Sequence, residues 1–577
     1  MVNIYYLCEV NKHVGNMKEY SEQEKSFNLL FESTIKRHWD RPALTDYQGQ
    51  TLSYAEVAQQ VVQFHLLFKR IGIQPGEKIA LCGKNCSHWA VAFFATITYG
   101  AIAVPILHEF KPEQAQNIIN HSDSRLLFAS DNIWKEMENE GLKIETNNFI
   151  GVINLQDFSV LMTNDEALNT LMGQLPKLYD EAYPNGLKPE DIHYIANAGN
   201  ELAIINYTSG STGKSKGVML SQKNLWNNVQ FGIDELKDHI AHDGTVVSIL
   251  PMAHMYGLAF EILSEICMGM HIYFLTKLSP TLIFKAFSEI RPTLVISVPL
   301  IIEKIIRRAV VPKLQDVRIR TLLHLPIVGT QIKRRICRKL TKAFGDRFYE
   351  VIIGGAAFSE DVENIMKDIG FRYTVGYGTT ECAPLISYAH WYDFPKGSCG
   401  RAIHRMQLRI NSNDPANEVG EILVKGDGVM LGYFKNEEAT REALDADGWY
   451  HTGDLGVIAN DGSLYIRGRS KNMLLGPNGQ NIYPEEIEDK LNAQLLVAES
   501  VVIQNKDRLY ALIFPDADEV EKMHVTDLKA AMESLRKEVN QELPAYEHLA
   551  GIKIMDKEFE KTPKKSIKRF LYLNEKV

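Results

Sequence analysis

Over the first four hundred residues, short unbroken apolar runs alternate with stretches patterned as helices. The runs Ile79-Ala80-Leu81, Val246 to Leu250, Thr293 to Val298 and Tyr349 to Ile353 read as buried strands. Local signals punctuate the alternation. Pro42 to Ser53 predicts a hairpin around Asp46-Tyr47-Gln48-Gly49, and Ser53-Tyr54-Ala55-Glu56 predicts a capping box opening a helix. Pro75-Gly76-Glu77-Lys78 predicts a turn ahead of the strand at Ile79. The longest apolar stretch, Ala90 to Leu107, is interrupted by Gly100 and Pro105 and lacks a flanking basic cluster. It predicts a buried helix running into a buried strand, not a membrane span. Alternation sustained over several hundred residues implies an α/β domain with mainly parallel sheets.

The texture changes after about residue 400. Short strands and glycine turns dominate, as in Glu421 to Gly426 and Asp461 to Ile466. The last hundred residues predict a small α+β unit. Pro484 stands where a helix starts, with Glu485 and Glu486 at its positive end. A hairpin (Ser500 to Phe514) and a second helix (Val525 to Leu543) follow. The expected organisation is an N-terminal extension (1–20), a large multi-subdomain α/β domain (21–469) and a small mobile domain (470–577).

Composition narrows the function classes. A chain of 577 residues exceeds one compact core. It carries 63 Lys and Arg against 72 Asp and Glu, a formal charge of −9, which gives no sign of a nucleic-acid-binding stripe. The seven cysteines are scattered, and only Cys82 and Cys86 lie close, with no second pair at zinc spacing. Reduced thiols and a cytoplasmic location are the expectation, with loose peripheral membrane association left open. The amino terminus has no long apolar core after a basic start, so no signal peptide is expected.

Candidate chemistry enters at Thr208. The apolar run Leu202 to Tyr207 leads into Thr208-Ser209-Gly210-Ser211-Thr212-Gly213-Lys214-Ser215-Lys216-Gly217. Three glycines let backbone N–H groups approach a phosphate, hydroxyls add donors, and two lysines add charge. The end of this run is Walker-like, but that motif needs glycine where Thr208 stands. The segment YTSGSTGKSKG instead resembles the signature loop of the adenylate-forming (AMP-binding) superfamily, which includes acyl-CoA synthetases.

Further segments arrive in that family's order. Leu250 to Gly257 resembles the motif beside the acyl pocket, with His254 as a candidate at the carboxylate. Gly354-Gly355-Ala356-Ala357 is similar to the loop flanking adenine. Val375-Gly376-Tyr377-Gly378-Thr379-Thr380-Glu381 resembles the segment whose tyrosine packs on adenine, whose second threonine meets the α-phosphate and whose glutamate helps hold Mg²⁺. A hard oxygen ligand suits such a metal. Thr208 is the second metal candidate. Trp449 to Gly456 resembles the segment whose acid, here Asp454, accepts the ribose hydroxyls. Arg469 matches an arginine on ribose or phosphate, and Lys471 matches the hinge.

One departure stands at the end. The family presents a lysine shortly before Ile/Val-x-Arg, whereas Thr562-Pro563-Lys564-Lys565-Ser566-Ile567-Lys568-Arg569 puts Ser566 at that place. Lys565, one residue early, is the catalytic candidate; Lys568 is the alternative. The resemblance thus implies an ATP- and Mg²⁺-dependent ligase that adenylates a carboxylic acid and transfers the acyl group to coenzyme A. The segment Arg291 to Lys304 resembles the long-chain acyl-CoA synthetase branch, implying a fatty acid. Apolar residues around Trp226 to Phe231 and Met255 to Ile262 are candidates for the acyl wall or for ordinary core. Transfer to a carrier protein, and a non-catalytic nucleotide-binding scaffold, remain the alternatives, and oligomeric state is open.

Overall fold

The computed structural model describes residues 20–195, 199–208, 215–240, 243–476, 480–505, 508–562 and 566–577, all but the side chain of residue 326. Its largest sheet has eight strands in the order Gly432–Tyr433, Lys216–Ser221, Leu202–Thr208, Ile102–Ile106, Lys78–Cys82, Ser124–Ala129, Gly151–Asn154, Val160–Thr163. The middle strands are parallel, and antiparallel partners close both ends. Parallel strands covered by helices bury both faces, which explains their unbroken apolar runs. The stretch from Ala90 resolves as expected: the helix Ser87–Thr98 is almost wholly buried and leads into the buried strand Ile102–Ile106.

A second sheet joins Thr245–Ser248, His271–Phe274, Pro42–Asp46 and Thr51–Ser53. Its hairpin and the capping box at Ser53 and Glu56 both form. A third sheet sets Val295–Ser297, Val351–Ile353 and Tyr373–Val375 in parallel register. Between residues 406 and 469 the pattern becomes antiparallel, with Met406–Asn411, Gly420–Gly426, Tyr450–Ile458 and Leu464–Arg469 in one sheet.

One continuous apolar core runs from Phe27 to Leu464. A separate core, built on Ile487, Leu491, Val502, Ile513, Met532 and Leu535, holds the last strands and helices together. There Pro484 begins the helix Pro484–Asn492, and Val497–Asn505 pairs with Arg508–Pro515. Each such buried aliphatic side chain contributes roughly 1.5–3 kcal/mol. Tyr20, at the edge of the expected extension, packs edge-on against the buried Trp226 at 5.0 Å. No described helix is long and apolar enough to cross a membrane.

Candidate active site

Strand Leu202–Thr208 and its antiparallel neighbour Lys216–Ser221 end opposite each other, with Thr208 across from Lys216. The glycine-rich segment therefore falls in sequence between two adjacent strands of the largest sheet. Ser209, Gly210, Ser211, Thr212, Gly213 and Lys214 lie outside the described residues. Thr208 bonds the Lys216 carbonyl at 3.5 Å. The Lys216 ammonium stands over the Tyr433 ring, 4.7 Å from its centre. The Tyr433 hydroxyl in turn donates to Glu381 Oε1 at 2.9 Å. Glu381 sits in a single helical turn, Thr380–Cys382, which follows the last strand of the third sheet and the short strand Tyr377–Gly378.

Opposite lies Asp454, fully inside the protein. Its Oδ2 accepts from the Tyr377 hydroxyl at 2.7 Å, and Arg469 Nε meets Oδ1 at 2.8 Å. Asp454 and Arg469 are cross-strand partners, so sheet register itself creates the pair. Burial raises the Asp454 pKa, and the Arg469 charge and Tyr377 hydroxyl oppose that shift. Each carboxylate oxygen keeps a second lone pair for a further donor.

His254 caps the short helix Met255–Leu258, its Nδ1 accepting from Tyr256 N at 3.2 Å. Gly355 has φ +90°, a conformation that favours glycine, and a Cβ on Gly354 would stand 3.1 Å from the Tyr256 ring. Backbone and aromatic ring therefore close together beside Ala356. Lys471 follows Arg469 in an exposed turn, where Ser470 N bonds the Gly453 carbonyl at 2.9 Å.

Thr208, His254, Gly355, Ala356, Tyr377, Thr380, Glu381, Asp454, Arg469 and Lys471 all line one cavity of about 2360 Å³. Ordinary small-molecule pockets hold roughly 300–1,000 Å³. There is room for more than one ligand. Ser566 and Lys568 reach the same cavity from the C-terminal unit, while Lys565 lies outside the described residues. Lys568 pairs with Glu560 at 3.4 Å, and Arg569 is held by Glu488, so both are engaged locally.

The apolar part of the cavity includes Phe231, Leu236, Phe260, Val298 and Leu300. Trp226, a candidate for the acyl wall, is core instead, stacked under the Arg405 guanidinium at 5.0 Å. Met255 and Ile262 are core as well.

Sequence reading missed the supports of the His254 segment. Glu261, fully buried in a π-helical turn, accepts from Ser248 Oγ (2.9 Å), Ile249 N (3.1 Å) and Leu250 N (2.9 Å). Asn85 donates to the Leu250 carbonyl at 2.6 Å and accepts from Met252 N at 3.0 Å. Asn206 Nδ2 donates to the Ala253 carbonyl at 2.9 Å. Burial pushes the Glu261 carboxyl up to about 8, against these donors. A lone acid in the apolar run MYGLAFEIL was the available signal.

Mg²⁺ coordination can be tested on the donor set. No described cluster of three or more His, Cys, Asp or Glu is arranged to hold a metal. Mg²⁺ bound with a nucleotide needs only one or two carboxylates, the phosphates supplying the rest. Glu381, with one oxygen taken by Tyr433, and the Thr208 hydroxyl fit that pattern.

The AMP-binding enzyme family model matches residues 31–434, and the AMP-binding enzyme C-terminal domain model matches 472–575. The chain belongs to the AMP-binding enzyme family. Among curated proteins it is similar to the long-chain-fatty-acid–CoA ligase FadD15 of Mycobacterium bovis, 26% identical over 85% of this chain and 81% of that protein. It is also similar to the long-chain-fatty-acid–CoA ligase of Salmonella typhimurium, 27% identical over 81% of each. Among solved structures, ATP-bound MatB from Rhodopseudomonas palustris superposes with a TM-score of 0.72 at 22% identity, covering 95% of this chain and 99% of that one. That likeness is one of fold.

Proposed function

We propose that the protein activates a long-chain fatty acid as its acyl-adenylate and passes the acyl group to coenzyme A. The observation that carries the reading is the single large cavity. One part gathers Thr380, Glu381, Asp454 and Arg469, and another is walled by Phe231, Phe260 and Val298. Relatives named as long-chain-fatty-acid–CoA ligases support the choice of acid and acceptor.

Each residue then has a task. The segment Thr208 to Lys214 (Ser209, Gly210, Ser211, Thr212 and Gly213 between) cradles the β- and γ-phosphates through backbone N–H groups. Gly355, Ala356 and Tyr377 receive adenine. Asp454 accepts the ribose hydroxyls on its free lone pairs, and Arg469 holds Asp454 in place while facing the ribose or a phosphate. Thr380 binds the α-phosphate. Glu381 and Thr208 would hold Mg²⁺, which neutralises phosphate charge so that two anions can meet. His254 positions the fatty carboxylate, and Lys565 completes the α-phosphate site.

In the first half-reaction a carboxylate oxygen attacks the α-phosphorus, the bond to the β-phosphate oxygen breaks, and pyrophosphate leaves. In the second, the thiol sulfur of coenzyme A attacks the acyl carbonyl and loses its proton, and AMP departs. A turn of the C-terminal unit (470–577) about Lys471 separates the two, withdrawing Lys565 and admitting the thiol.

The test follows pyrophosphate and thioester together, with ATP, Mg²⁺ and acids of graded chain length, with and without coenzyme A. Pyrophosphate release that rises with chain length and yields acyl-CoA is expected. Release without acyl-CoA would point to a carrier-protein acceptor. No release with any acid would leave a nucleotide-binding scaffold and end the proposal.

A further inference from the structure

Residues 304–347 hold thirteen Lys or Arg and two Asp in a chain whose net charge is −9. The rest of the chain is therefore at −20, and positive charge is concentrated in one segment. That segment folds as the helices Val311–Gln315, Val317–Leu323 and Pro326–Ala343, following Pro299–Ala309.

The last of these helices is anchored, not loose. Gly329, Ile336 and Leu340 are buried on one face, and Phe344, just past its end, packs among Phe284, Phe287 and Phe348. A Cβ on Gly329 would meet the Leu323 carbonyl at 2.4 Å, so the two helices cross in close contact. With that face seated, the helical repeat turns Arg334, Arg335, Arg338 and Lys339 outward, and all four are exposed.

Acids of the body neutralise only the inner cations: Arg307 bonds Asp361, Lys333 bonds Asp368 and Arg347 bonds Asp243. Among the described residues no carboxylate pairs with Arg318, Arg320, Arg334, Arg335, Arg338 or Lys339.

Apolar side chains stand beside this charge. Val317 is 79% exposed and Ile327 80%, with Leu322, Leu325 and Val328 also exposed around the same helix–helix turn. The helix Val317–Leu323 has no buried residue at all. Isolated exposed aliphatics need no explanation, but five around one turn do. At 1.5 Å per residue, Arg334 to Lys339 lie about 10–18 Å along the helix from Ile327.

From this we infer that the turn at residues 317–328 docks on an anionic lipid bilayer, its apolar tip entering the headgroup boundary and its basic flank meeting lipid charge. Tips of this kind enter about 5–10 Å, which leaves the arginines within reach of the surface potential on a tilted helix. A nucleic acid or acidic protein would use the charge and leave the apolar tip in water. The helix Pro299–Ala309, which runs into this element, begins at the cavity: Leu300 both lines it and is exposed. The docking itself rests on charge and exposure, not on which acid is used.

Vesicle flotation of the full chain tests it, with about 30% phosphatidylserine in phosphatidylcholine set against phosphatidylcholine alone. Binding only to the anionic vesicles, weakened by salt, is expected. The triple variant R334Q/R335Q/R338Q should bind on the order of a hundredfold more weakly, at about fivefold per charge. I327W should show a blue-shifted emission on vesicle binding and quenching by brominated lipid. Equal binding to neutral vesicles, an unaffected triple variant, or binding with no shift at I327W would each overturn the inference. Competition by heparin combined with that unshifted emission would mark a polyanion surface instead. The assay contains no ATP, acid or coenzyme A, so its failure and that of the ligase reading are separable. An unchanged circular dichroism spectrum and thermal unfolding midpoint confirm that each variant is folded.

Discussion

Replacing Asp454 with Asn tests the nucleotide pocket most directly. The carboxylate is held by Tyr377 at 2.7 Å and Arg469 at 2.8 Å, and in the proposed complex its remaining lone pairs take both ribose hydroxyls. Asparagine preserves volume but has one acceptor oxygen, and its amide must then face either Tyr377 or Arg469. At most one ribose bond survives, without charge assistance. Hydrogen bonds to a charged group are worth about 1.5–3 kcal/mol each. A loss of about 2–3 kcal/mol lowers kcat/KM for ATP by about 30- to 150-fold. The structural cost is smaller, because the Arg469 side chain is 63% exposed and returns to water. Asp454 is buried, but the asparagine that replaces it is neutral and leaves no uncompensated charge inside the protein. The decisive assay compares ATP with its 2′-deoxy and 3′-deoxy analogues in both proteins. Wild type should prefer ATP to each by about tenfold, one charge-assisted bond, while the variant should nearly lose at least one of the two preferences. A variant that keeps both preferences as wild type does would refute the ribose assignment, whatever its absolute rate.

Two further outcomes follow from the same geometry. Lys471→Pro should leave acyl-adenylate formation within about threefold of wild type and reduce thioester formation by at least about a hundredfold, since proline fixes φ where the turn must rotate; equal loss in both half-reactions would rule out a hinge there. Glu261→Gln should flatten the pH dependence of stability. The folded carboxyl is raised from its ordinary 4.5 to about 8, so its contribution is full below about pH 4.5 and is lost as pH rises through 8. Denaturant midpoints across that window should show wild type losing stability relative to the variant by up to about 1.4 kcal/mol per pH unit; parallel curves would show that Glu261 does not titrate there.

Much of this molecule is determined by sequence alone, because its strongest signals are local. A capping box, a proline at a helix start and apolar runs long enough for buried strands act within a few residues, and each appears where its pattern predicts. The candidate residues of the proposed nucleotide site came from the order of segments resembling the AMP-binding family, and those among the described residues line one cavity.

Tertiary structure alone decided the rest. Nothing local to Asp454 states that strand register will set it against Arg469, or that Tyr377, 77 residues earlier, will donate to it. Trp226 and Phe231 lie one and a half turns apart on one helix, yet Trp226 is clamped between Tyr20 and Arg405 while Phe231 opens on the cavity. Periodicity separates inside from outside, but it does not separate core from cavity wall, because both are apolar and removed from bulk water. Glu261 shows the same limit from the polar side. Its value lies in three donors that only the folded chain delivers, and without them a buried acid has no reason to be there.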